Sequence, residues 1–220
     1  MSKKRVVKRK AQKTPRKRVA KPKAPKVGLY MGCEFESFCE LSLLYFAEEL
    51  IKAGYAQRVE RSPSYSLCDP VTSSYAVQLK RGSKQETQTI SQGVTYTPDY
   101  DIYFTKRALG VFCWQLGSGK KWDKDLLVVQ EHYETNGDIL YRACCEVKPD
   151  FSRNSTTPKS VQSMKWLMQK HTIYTNLFRP NRIFEGLFLP DKYLMTERGT
   201  KRILKFKPKT LQEYLKTKGL

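Results

Sequence analysis

Tyr141 to Lys148 reads YRACCEVK, and Pro149 follows at once. In an extended strand successive side chains alternate between faces. Arg142, Cys144, Glu146 and Lys148 therefore share one face, and Ala143, Cys145 and Val147 share the other. Same-face neighbours are roughly 6–7 Å apart, so Glu146 and Lys148 point the same way at the end of the strand, which Pro149 halts. Immediately upstream, Leu126–Tyr133 and Ile139–Val147 flank Asn136-Gly137. That dipeptide suits a tight hairpin in which both central residues take positive φ.

Further upstream, Val94 to Phe104 predicts one strand with Asp99 and Asp101 on one face and Tyr100, Ile102 and Phe104 on the other. Shorter strands are expected near Ser64–Cys68 and Ser74–Lys80, with a polar turn at Arg81–Glu86. Val111–Leu116 reads as another strand and Gly117–Asp125 as a loop. A helix is expected from Glu34 to Ala53, stopped by Gly54. Its apolar residues (Phe35, Phe38, Leu41, Leu44, Leu50 and Ile51 among them) cover more than one face, as in a helix packed deep against a sheet. Downstream, Thr157-Pro158 opens a helix to about Asn176. A strand at Arg182–Leu189, an apolar piece at Arg202–Phe206 and a helix after Thr210 complete the chain. This order predicts an α/β or α+β sandwich around a mixed sheet.

The charge is divided unequally. The whole chain has 41 Lys and Arg against 21 Asp and Glu; residues 1–27 contain 13 of those bases and no acid. This first segment, with Lys3, Lys4, Arg5, Lys8, Arg9 and Lys10, has no aromatic residue and no apolar periodicity, so it reads as a disordered basic tail ahead of a single domain at 28–220. Such a tail gives salt-sensitive, sequence-independent affinity for nucleic acid. The six cysteines include no CxxC pair and lie mostly in apolar runs, which predicts reduced thiols. No apolar run approaches the roughly 20 residues that cross a bilayer, so no membrane partner is expected.

The chemistry-bearing residues fall on the strands already described. Asp99 and Glu146, on two strands of one sheet, are placed to share a hard divalent cation, since magnesium takes oxygen ligands and keeps waters. The ion acidifies water and neutralises charge on a scissile phosphate, and an amine such as that of Lys148 stabilises charge developing there. Glu40 adds an acid at the head of an otherwise apolar helical stripe of Leu43, Leu44, Ala47 and Ile51. That position is costly unless a cation, a donor or solvent meets it. Lys159, Lys165 and Lys170 on the second helix suit a DNA backbone. Gly117-Ser-Gly-Lys-Lys121 is a lysine-rich turn, because a phosphate loop needs an earlier glycine and a Ser or Thr after the lysine.

This order of helix acid, Pro-Asp and Glu-x-Lys resembles the PD-(D/E)xK, or restriction-endonuclease-like, nuclease superfamily. Gly32-x-Glu34-Phe35-x-Ser37-x-x-Glu40, Tyr96-Thr-Pro-Asp-Tyr100 and Glu146-Val-Lys-Pro149 are most similar to phage nucleases of the endonuclease I type, which resolve Holliday junctions, and to TnsA-type transposon end nucleases. The resemblance spans roughly 32–175. It implies a restriction-endonuclease-like mixed sheet flanked by helices and Mg2+- or Mn2+-dependent cutting of branched or duplex DNA. Glu40, Asp99 and Glu146 would be metal ligands and Lys148 the catalytic amine; a homodimer would supply two sites. The 46 residues between Asp99 and Glu146 exceed what compact members need, and imply an inserted strand or hairpin at about 105–138. Expected locations are a host's cytoplasm or nucleoid, or a nucleus in a eukaryote. The alternative from another class is a non-catalytic basic protein that binds nucleic acid, with its acids incidental.

Overall fold

The computed structural model describes residues 28–149, 158–195 and 200–220. The tail bases Lys3, Lys4, Arg5, Lys8, Arg9 and Lys10, and the expected helix start at Thr157, lie outside the described residues. The chain opens with a hairpin, β1 (Gly28–Tyr30) and β2 (Cys33–Phe35), and then enters helix α1 (Phe38–Lys52). The expected helix start at Glu34 is therefore too early. Ser37 is the N-cap, its hydroxyl accepting from the Glu40 amide at 3.2 Å. At the other end Gly54 has φ +75, Tyr55 N–H reaches the Leu50 carbonyl and Gly54 N–H reaches Ile51. This paired closure is the glycine stop expected from the sequence.

Strand β3 (Ala56–Arg61) follows α1; then come β4 (Tyr65–Cys68), β5 (Val71–Leu79), β6 (Gly82–Ser91), β7 (Val94–Tyr96) and β8 (Tyr100–Phe104). Two expectations change here. The supposed polar turn at Arg81–Glu86 is largely strand β6, paired along its length with β5. The single strand expected over Val94–Phe104 is two strands in different sheets, because Thr97-Pro98-Asp99 interrupts it and proline cannot donate to a central ladder. A 3₁₀ turn at Lys106–Ala108 leads to β9 (Cys113–Gln115), β10 (Leu127–Tyr133) and β11 (Ile139–Val147).

The β10–β11 hairpin forms with its expected strands but a different turn. Gly137 alone takes positive φ, at +89, and its N–H closes on the Glu134 carbonyl at 3.0 Å. Asn136 instead uses its side chain to accept from the Asp138 amide at 3.0 Å, a local bond available to Asn outside the left-handed region.

Helix α2 (Pro158–His171) ends earlier than the expected Asn176. Thr172 has φ +58, and the β-rich segment behind it forms β12 (Thr175–Phe178). The expected strand at Arg182–Leu189 is instead helix α3 (Pro180–Gly186) followed by a buried turn at Leu187–Leu189. Proline at the first helical position is the signal that the apolar run obscured. Helices α4 (Asp191–Leu194) and α5 (Leu211–Thr217) follow, the latter with the Thr210/Glu213 capping box.

The molecule is thus an α/β structure with a mixed sheet ordered β3-β8-β11-β10-β9, flanked by helices. Strand β11 is its hub. One edge pairs antiparallel with β8; along the other, Arg142 and its predecessors pair with β10 and Cys144–Val147 pair parallel with β12. The Asn176 side chain splices this split edge, accepting from Val128 N–H at 2.7 Å and donating to the carbonyls of Val128 and Cys144. Residues 105–138 contribute β9 and β10 to the sheet. Leu43, Leu44, Phe46, Ala47 and Leu50 of α1 are fully buried with Ile102, Phe104, Ala143 and Cys145. Phe46 lies 5.0–6.2 Å, centroid to centroid, from Phe178, Phe184 and Phe188. Burying such side chains contributes about 1.5–3 kcal/mol each, which makes the α1–sheet interface the main source of cohesion. No helix among the described residues is long and apolar enough to cross a membrane.

Candidate functional site

The antiparallel register of β8 and β11 sets Tyr100 opposite Cys145. The residue before Tyr100 is then delivered to the C-terminal end of β11. Asp99 N–H donates to the Cys145 carbonyl at 3.0 Å, and the Asp99 carboxylate accepts from Val147 N–H at 2.6 Å. Pro98 is buried there, so the Pro-Asp pair is held as a rigid corner beside the Glu-x-Lys segment.

Glu146 is 6% exposed. One of its oxygens accepts from the Tyr96 hydroxyl at 2.8 Å, and the other meets Lys148 Nζ at 2.5 Å. Strand alternation thus places Glu146 and Lys148 together. Burial, and next the negative charge of Glu146, push the Asp99 carboxyl up to about 6; Val147 N–H and Lys148 oppose the rise. The Tyr96 hydroxyl is also pushed well up, by burial and by Glu146, with Asp99 contributing. Asp99, Glu146, Lys148 and Tyr96 therefore form one electrostatic unit in which two carboxyl groups face one amine.

Glu40 borders that unit, its negative charge adding to the rise at Asp99, while its own carboxylate is held by other donors. Its carboxylate accepts from the Ser37 hydroxyl at 2.9 Å, from Glu36 N–H at 3.1 Å and from the Tyr100 hydroxyl at 3.3 Å. Arg61 Nη1 is 3.5 Å from both Glu40 and the Asp99 carbonyl, and so stands between the helix acid and the strand acids. Ser37-x-x-Glu40 is a helix-start signature, and the capping contacts satisfy the acid that the apolar stripe made conspicuous. Asp101, although two residues from Asp99, is also committed elsewhere. It is 1% exposed and accepts from Ser62 at 2.9 Å and from Arg142 at 2.6 Å.

No group of three or more His, Cys, Asp or Glu side chains among the described residues is gathered closely enough to hold a metal ion. A magnesium-type ion is held through as few as one or two carboxylates, with waters and substrate phosphate completing its shell. Asp99 and Glu146 fit that requirement as hard oxygen donors, and their mutual repulsion is relieved by a cation. Glu40, expected as a third ligand, is within electrostatic range of Asp99 but is not gathered with Asp99 and Glu146 into a close group of three.

Lys159 and Lys165 are exposed on α2, which packs against β4 through His171, whose ring nitrogen is 2.8 Å from the Ser66 carbonyl. Tyr96 and Arg61 were not foreseen as site residues. Tyr96 sits in the same YTPDY segment as Asp99, so its place two residues before a proline corner was a usable signal. Arg61 offered none, since its role comes from the pairing of β3 with β8. Comparison of the chain with family models, with curated proteins and with solved structures finds no match.

Proposed function

We propose that the protein is a divalent-cation-dependent DNA endonuclease of the PD-(D/E)xK kind, acting on branched or duplex DNA. The observation that carries this reading is the convergence of Asp99, Glu146 and Lys148 at one end of β11, with Lys148 Nζ 2.5 Å from Glu146 and the Asp99 carboxyl raised to about 6. A site with two acids and one amine favours a further positive charge.

Asp99 and Glu146 are the residues that would hold Mg2+ or Mn2+; the ion supplies Lewis acidity toward a phosphate oxygen and acidifies water. Lys148 is positioned to donate to a phosphate oxygen as charge builds there. Tyr96 fixes one Glu146 oxygen, and Val147 N–H fixes one Asp99 oxygen, so each carboxylate presents a defined edge. Arg61 and Glu40 hold the start of α1 against the Asp99 corner. The basic tail and α2 lysines supply grip on the phosphate backbone.

The test is to incubate purified full-length protein with junction-containing and linear duplex DNA, with magnesium and with chelator. Magnesium-dependent nicking by the native chain and its loss in Lys148→Ala are expected. The rival reading, a nuclease-like fold that binds DNA without cutting it, draws on the protein donors already engaging Glu40 and Glu146. Binding with no turnover under magnesium or manganese would establish the rival and end the endonuclease reading.

A further inference from the structure

Between β3 and β8 the chain leaves the main sheet and builds a long two-stranded ribbon, β5–β6, on the short β4–β7 pair. The ribbon ladder runs from Val71/Ser91 to Leu79/Gly82. Nearly every ribbon residue is exposed, with only Val77 and Glu86 partly covered. A lone hairpin is marginally stable in water, so a projecting ribbon of this length is best explained by a partner that its surface fits.

The register sorts the side chains into two faces. Thr72 pairs with Thr89, Ser74 with Thr87 and Gln78 with Ser83 on one face, with Gln85 opposite Ala76. The Ser74 and Thr87 hydroxyls are 3.2 Å apart, as same-face neighbours should be. This face contains no acid and many groups that can donate or accept. The other face carries Val71, Ser73, Tyr75, Val77 and Leu79 with Lys84, Glu86 and Gln88. At the tip stand Lys80 and Arg81, both exposed; Lys84 is paired with Glu86 at 3.6 Å, so the two tip bases are the charge that the ribbon leaves uncompensated.

We infer that this ribbon is a DNA-reading arm, which lays its Ser/Thr/Gln face in the major groove of duplex beside the cut while Lys80 and Arg81 at its tip meet the flanking phosphates. This rests on the endonuclease reading above and adds how the substrate is held. The dimensions agree: a two-stranded ribbon fits the B-form major groove, and nine residues at about 3.3 Å each span roughly 30 Å, close to one duplex turn. The arm is anchored at the site, because β7 carries the Tyr96 that bonds Glu146. Its contacts therefore fall within about one turn of the scissile phosphate. A second copy of the chain fits less well. The ribbon's Val71, Tyr75, Val77 and Leu79 are interspersed with Ser73, Lys84, Glu86 and Gln88, whereas the core of a stable interface is depleted in charged residues.

The experiment uses the full chain in chelator, so that binding is read without cleavage. Lys80→Ala/Arg81→Ala should weaken binding to a 30-base-pair duplex at least tenfold, and flatten the dependence of log K on log salt by about two. Native protein should protect guanine N7, a major-groove atom, from methylation, and Gln85→Ala/Thr87→Val should abolish that protection while retaining most affinity. All four positions are exposed, and unchanged circular dichroism confirms folding. Unaltered affinity and N7 reactivity in both variants would overturn the proposal, as would ribbon substitutions that change only self-association in sedimentation. Ribbon-dependent protection by a protein that never cuts would leave the arm standing and remove the endonuclease; cutting that ignores the ribbon would do the reverse.

Discussion

Two charged constellations sit two residues apart on the same pair of strands and are built on opposite principles. In the inner one, Asp101 meets Arg142 and Ser62, so one acid faces one base and both carboxylate oxygens are satisfied at 1% exposure. Tyr65 adds its hydroxyl to the Arg142 guanidinium. In the outer one, Asp99 and Glu146 share the single amine of Lys148, and burial, with the charge of Glu146 added to it, pushes the Asp99 carboxyl up to about 6. The inner set balances one acid against one base and ties β8 to β11, although Arg142 Nε is buried there without a hydrogen-bond partner. The outer set holds two carboxyl groups against one amine, a condition that costs stability, and perturbed groups of this kind cluster at functional sites as well as in structural ion-pair networks.

The sharpest way to break this comparison is to remove Arg142. Arg142→Ala strands a buried carboxylate, and such a loss costs about 3–5 kcal/mol, or roughly 6–20 °C in Tm for a unit of this size. Thermal denaturation measures it, and a drop under 2 °C would show that the inner pair is not structural. Next in size is Lys148→Ala, expected to slow magnesium-dependent nicking by about 10²–10³ while DNA binding in chelator is retained; gel assays of both separate the two effects.

Asp99→Asn tests the imbalance directly. A carboxyl raised from its ordinary 3.8 to about 6 binds its proton more tightly in the folded state. Its favourable contribution is full below about pH 4 and is lost as pH rises through 6. Asn mimics the protonated form, so the variant should gain about 1–3 kcal/mol over the native chain at pH 7–8, and nothing below pH 4, in urea titrations. Added magnesium should narrow that gap by stabilising the native carboxylates, and cleavage should vanish. A variant no more stable than the native protein at pH 8 would contradict the outer set's excess charge. The smallest effect is expected from Tyr96→Phe, which removes one donor to Glu146 while Lys148 remains. About 1 kcal/mol of stability and less than a tenfold change in rate would fit an orienting role; a rate loss as large as that of Lys148→Ala would place Tyr96 in the chemistry itself.

Much of this arrangement was legible locally. The alternation in YRACCEVK placed Glu146 beside Lys148, and Gly54 marked the end of α1, because pleat and helix stop are set by a few neighbouring dihedrals. Ser37-x-x-Glu40 also announced the helix cap, and one local signal was misread: Pro180 opened a helix where the apolar run Ile183–Leu189 suggested a strand.

What only the tertiary structure decided is pairing across distance. The register of β8 on β11 brought Asp99 to Val147 N–H across 48 residues and committed Asp101 to Arg142, although both acids sit on one strand end. Thr175–Phe178 became a strand because the C-terminal half of β11 offered an open edge, and Gly82–Ser91 because β5 did, with no apolar pattern to announce it. The physical reason is that local sequence fixes which backbone conformations are cheap, whereas hydrogen-bond partners for a strand edge, and counter-charges for a buried acid, come from whatever the rest of the chain places there.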